Sequence, residues 1–149
     1  MLFRYRLQPV KAPIVALGGR WVRPRALATI TLIGPSGTRV RQARLDPAAD
    51  DTVFPETVAA HVGLDLSNAP IGEAAGVGMN PVSLRYAEVT LRLAQGNERR
   101  EWRCWVGFAS APMTYPLLGF AGFLQFFTAT FHGDREEVEL AVNSLYPGT

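Results

Sequence analysis

Several short patterns in this chain hold residue types that do chemistry, and their spacing dismisses most of them. Gly34-Pro35-Ser36-Gly37-Thr38 places a serine near glycines but lacks the second Gly at the spacing of a nucleophile elbow. Gly76-Val77-Gly78 starts like a dinucleotide-binding turn, yet Met79, Asn80 and Pro81 follow, so the third glycine and the helix are missing. Cys104 is the one cysteine and stands between Trp102 and Trp105 in a strand-like run, where it reads as a small buried apolar residue. His61 falls in the last turn of a short helical stretch and complements its dipole, and His132 adjoins a turn glycine. Carboxylate chemistry remains, in Arg44-Leu45-Asp46-Pro47-Ala48-Ala49-Asp50-Asp51-Thr52. As a metal loop this segment misses the calcium pattern at its Gly and final Glu, so no metal site is expected. A strand-end Asp before Pro is in most proteins only a turn, so Asp46 gains meaning from the elements around it.

Those elements are strands. The chain has 149 residues, the length of one domain, with 48% apolar and 19% charged side chains, enough to bury a core. Fourteen Gly and eleven Pro suit short strands joined by turns and argue against a helical bundle. A single Cys excludes a disulfide framework and a cysteine zinc site. Residues 3–7 alternate as a half-exposed strand, and residues 9–25, rich in Pro, Gly and Arg, read as a long connection. Residues 26–33 and 38–45 form a hairpin across Gly34-Pro35-Ser36-Gly37. Pro55 and Glu56 open a short helix to about residue 62, which Gly63 ends. Residues 67–81 are glycine-rich, residues 82–93 and 101–108 alternate as strands, and residues 126–131 and 138–142 make a last hairpin.

In this order the sequence resembles the retropepsin-like aspartic proteases, the half-length relatives of pepsin. That family shows Asp-Thr/Ser-Gly-Ala after an apolar residue, a strand ending in Pro, and a short helix closing in Gly-Leu. A glycine-rich flap and a late apolar-apolar-Gly follow. Here the counterparts are Leu45-Asp46-Pro47-Ala48-Ala49-Asp50, Val53-Phe54-Pro55, Gly63-Leu64, Gly76-Val77-Gly78-Met79 and Leu117-Leu118-Gly119, over residues 26–142. The resemblance implies one mainly β domain, a retropepsin-like acid-protease barrel with one or two short helices. Residues 1–25 would be an N-terminal strand and connection, and 26–142 the core. It implies Asp46 as catalytic carboxylate, residues 72–82 as a flap hairpin, and Leu117, Leu118 and Gly119 as support beneath the site, with no cofactor. Peptide hydrolysis of this kind needs two close carboxylates sharing a proton, a case for which aspartic proteases are the type example. One chain carries one such motif, so the active form would be a homodimer pairing two copies of Asp46.

Two departures leave two functions open. Pro47 has neither the hydroxyl nor the amide hydrogen with which the family's Thr or Ser locks the two loops together. Ala48 adds a Cβ where the family has Gly. The chain is therefore either a homodimeric aspartic endopeptidase, or a protein of the same fold that binds a peptide or protein partner without cleaving it. Charge offers a third reading. Residues 1–44 carry nine basic side chains and no acidic one, while residues 45–149 carry six basic and thirteen acidic, a balance of −7. Single arginines among apolar residues, with no basic run, argue against nucleic acid and fit complementarity within the chain. The uncharged run 104–131 is broken by Pro112, Pro116 and Gln125, and Arg4 and Arg6 interrupt the apolar start. A soluble, cytoplasmic protein without membrane contact is the expectation.

Overall fold

The computed structural model describes residues 1–149 except Val77 and Met79. Strands β1 (Leu2–Arg4) and β2 (Arg6–Ile14) come first, and a 3-10 turn at Val15–Leu17 leads through Gly18 and Gly19 into β3 (Arg20–Arg25). Strands β4 (Leu27–Gly34) and β5 (Gly37–Leu45) pair in full register across the expected turn. The segment after Asp46 runs into β6 (Val53–Pro55) and α1 (Glu56–His61). Two linked hairpins follow, formed by β7 (Ile71–Ala74), β8 (Val82–Gln95) and β9 (Glu98–Ala109). The chain finishes with β10 (Leu117–Leu118), a 3-10 turn at Leu124–Phe126, β11 (Phe127–His132) and β12 (Glu137–Val142).

Six strands close into a barrel. The sheet order is β4-β5-β10-β6-β9-β8, β4 pairs again with β8, and β7 extends the edge of β8. Period-2 alternation explains why these segments choose strands, since each places its apolar set on one face. Ile30 and Leu32 of β4, Val89, Leu91 and Leu93 of β8, and Trp102, Cys104, Val106 and Phe108 of β9 are all buried, whereas Trp105 is 55% exposed. Beside the barrel, β1, β12 and β11 form a three-stranded sheet. Trp102 joins the two, with ring centroids 5.3 Å from Phe127 and 5.6 Å from Phe123, and its indole N–H donates to the Gly122 carbonyl at 3.0 Å.

The short helix ends as its sequence suggests. Gly63 takes φ +76°, its N–H reaches the Ala60 carbonyl, and the Leu64 N–H reaches the Ala59 carbonyl at 3.0 Å. This pair of bonds is a Schellman cap, which requires the left-handed residue that glycine supplies. Pro55 stands one position before the helix as its N-cap rather than within the first turn.

The N-terminal segment corrects the expectation. Residues 9–25 are not a connection, because β2 and β3 form a two-stranded antiparallel ribbon with a register shift between Pro9 and Ile14. A ribbon of two strands leaves one edge of each strand unpaired, so Pro9, Pro13 and Pro24 are tolerated where a central strand would exclude them. Their composition hides the strand signal. The Tyr5 N–H bonds to the Glu136 carbonyl at 2.7 Å, and Arg20 pairs with the Glu136 carboxylate, tying this segment to the β11–β12 turn. No helix among the described residues is long and apolar enough to cross a membrane.

Candidate active site

Asp46 leaves the end of β5 and is held from beneath by residues late in the chain. Its N–H donates to the Leu118 carbonyl at 3.1 Å, and the Arg44 N–H donates to the Pro116 carbonyl at 2.8 Å. Strand β10 runs parallel to β5 (Leu117 opposite Arg44, Leu118 opposite Leu45) and antiparallel to β6 (Leu117 opposite Val53). A two-residue strand is thus threaded between the strands that enter and leave the Asp46 loop. Its shortness is sufficient because Leu118 is fully buried and both of its neighbours supply ladder partners.

The loop itself is a tight turn. The Ala49 N–H donates to the Asp46 carbonyl at 3.1 Å, and the Ala48 N–H donates to Asp46 Oδ1 at 3.0 Å. Pro47 occupies the second turn position, where its fixed φ is suited. Among the described residues Glu136 is the one non-glycine with positive φ, so Ala48 bears its Cβ without backbone strain. Below, the Phe120 N–H reaches the Ala49 carbonyl at 2.9 Å and the Ala121 N–H reaches the Asp50 carbonyl at 2.8 Å. Gly119 admits nothing larger, since an added Cβ would stand 2.7 Å from the Ala49 carbonyl oxygen and closer still to that of Asp51.

Asp46 opens onto a cleft of about 530 Å³. Ala48, Ala49, Asp50 and Asp51 share its floor, and Glu73, Ala74, Gly76 and Asn80 line it from the β7–β8 hairpin. Val53, Val82, Leu84, Ala109, Met113 and Leu117 give an apolar wall. A carboxylate facing an apolar groove edged by a hairpin can hold an extended peptide and polarise a water. The second carboxylate that acid-base hydrolysis requires does not come from another copy of the motif in this chain.

Of the expected site residues, Asp46, Ala48, Ala49, Asp50, Gly76 and Leu117 meet at this cleft, with Leu118 and Gly119 directly beneath. Pro47 is exposed on the loop, Gly78 is exposed away from the lining, and Val77 and Met79 lie outside the described residues. Within the expected flap segment 72–82, β7 pairs with the start of β8, with Ile71 opposite Arg85 and Ala74 opposite Val82. Sequence reasoning missed Tyr86, whose hydroxyl donates to Asp51 Oδ2 at 2.9 Å. Its phenol is pushed up to about 12, first by burial and then by that hydrogen bond. Alternation does put Tyr86 on one face of β8 with Val82 and Leu84, but no local pattern sets it against Asp51. Cys104 lies in the core away from the cleft, and burial pushes its thiol up to about 12. No protein-family model matches the chain, and no curated protein matches it in sequence.

Proposed function

We propose that this protein is a retropepsin-like aspartic endopeptidase, active as a homodimer in which two copies of Asp46 activate one water. The observation that carries this reading is the threading of Leu117-Leu118-Gly119 between β5 and β6, beneath an Asp that faces an apolar cleft edged by the β7–β8 hairpin. In the mechanism, one Asp46 carboxylate takes a proton from water as it attacks the scissile carbonyl. The other, protonated, hydrogen-bonds to the carbonyl oxygen, and the leaving amine is then protonated by the site. The Ala48 N–H orients the Asp46 carboxylate, and Glu73, Ala74, Gly76 and Asn80 edge the peptide groove. On this reading two carboxylates and a water supply the chemistry.

A second reading, binding of a peptide or protein without cleavage, is favoured by Pro47, which offers no hydroxyl to lock two loops together. A peptide-library cleavage assay between about pH 4 and 7 separates the two, the range being set by coupled carboxylates. Turnover that Asp46→Asn abolishes supports the endopeptidase. Absence of turnover across the range from folded protein overturns it in favour of the binding reading.

A further inference from the structure

Three arginines gather beside the strand that leads into the Asp46 loop. Arg44 lies on β5 on the face opposite the buried Ala43 and Leu45, and its register partner on β10 is Leu117, which lines the Asp46 cleft. The Leu45 N–H bonds to the Ala26 carbonyl at 2.9 Å, which brings Arg25 alongside Arg44. Arg23 follows on the same face of β3, two residues before Arg25. All three are half-buried, and none is in ion-pair contact with a carboxylate among the described residues. The Arg44 guanidinium carbon lies 5.9 Å from the centroid of Tyr115, and its Nε is buried with no hydrogen-bond partner. Arg25 is held below its ordinary pKa by burial first, then by Arg44 and Arg23. Half-buried like charges with an orphaned donor are costly unless an anion completes them.

We propose that Arg23, Arg25 and Arg44, backed by Tyr115, form an oxyanion site that takes an acidic side chain of the peptide bound at the Asp46 cleft. A planar guanidinium fork matches a carboxylate with two parallel hydrogen bonds, and Tyr115 holds the Arg44 plane in place. The Nε of Arg25 already donates to Gln8 Oε1 at 3.2 Å, which leaves its terminal nitrogens for the ligand. This assignment rests on the peptide-groove reading but does not need turnover.

Two measurements test it on the full chain. The first follows the arginine Nε–Hε resonances while sodium acetate replaces chloride at constant ionic strength. A saturable shift of the Arg44 signal is expected, and no shift overturns the site. The second measures binding of apolar decapeptides, with a single Glu scanned along them, to the Asp46→Asn protein, against the same peptides carrying Gln. At one register Glu should bind about tenfold tighter, the difference should shrink with added salt, and Arg44→Gln should remove it. Should Arg44→Gln unfold, Arg25→Gln with an unchanged melting midpoint serves instead. Equal binding of Glu and Gln peptides at every register overturns the proposal, as does preferential, arginine-dependent binding of a single-stranded oligonucleotide. Absence of cleavage by the unsubstituted protein leaves both measurements standing, so the two failures are distinguishable.

Discussion

Tyr86 and Asp51 link the alkaline response of the fold to the floor of the cleft. The phenol donates to Asp51 Oδ2 at 2.9 Å and keeps its proton until about pH 12, against 10.0 for a free tyrosine. Below about pH 10 the phenol is protonated in both the folded and the unfolded chain, and its stabilising bond is fully present. Between that value and about 12 only the unfolded chain loses the proton, so folding stability falls as pH rises through this window. Tyr86→Phe should therefore flatten part of the decline measured by urea denaturation at pH 9, 10.5 and 12. An identical slope in the variant would show that Tyr86 does not hold its proton in this way.

At the scale of elements, the shortest strand positions the most. Strand β10 has two residues, yet it bonds to β5 and β6 and delivers Gly119 beneath the loop. The atoms around Gly119 are backbone carbonyls, which cannot rotate away as a side chain would. Gly119→Ala should cost about 1–3 kcal/mol in stability, read from the denaturation midpoint, and should displace the Asp46 loop. A midpoint within a few tenths of a kcal/mol of the parent would mean that the loop tolerates lifting. Local signals made the β4–β5 hairpin and α1 legible in the sequence, since each is set by residues within a few positions of the turn or cap. Leu117-Leu118-Gly119 carried no such local signal, being too short for any period, and stood out only through its likeness to a family pattern. Strands β2 and β3 were illegible because Pro9, Pro13 and Pro24 carry the composition of loops, and an isolated ribbon is where that composition can still pair. Tyr86 on Asp51 and the three arginines were illegible for another reason. Each joins side chains from distant strands whose register no local pattern specifies.

Over the whole molecule, on the homodimer reading, Pro47 and Ala48 bear both on the rigidity of one chain and on the joining of two. Pro47 removes backbone freedom from the unfolded chain, and Ala48 does so relative to glycine, each worth up to about 1 kcal/mol where the turn accepts them. The double variant Pro47→Thr with Ala48→Gly should thus lower the stability of the single chain while adding cross-subunit hydrogen bonds. On the homodimer reading, sedimentation should show dimer affinity raised by about tenfold. Unchanged affinity and unchanged cleavage would mean that Pro47 already meets the need the hydroxyl serves elsewhere. The one-sided charge belongs to this scale as well. Part of it is met internally, through Arg20 with Glu136 and Arg4 with Glu137, while Arg23, Arg25 and Arg44 make no ion pair among the described residues.

The threading of β10 has a kinetic meaning. Asp46 is emitted early during synthesis, but the partners that shape its loop, Leu118, Gly119 and Ala121, arrive much later. Closing so long a stretch of chain is entropically slow, and contacts of this separation form late along a folding route. On the endopeptidase reading, a chain that has not yet brought Leu118, Gly119 and Ala121 beneath the Asp46 loop would lack the site, which ties activity to completed folding.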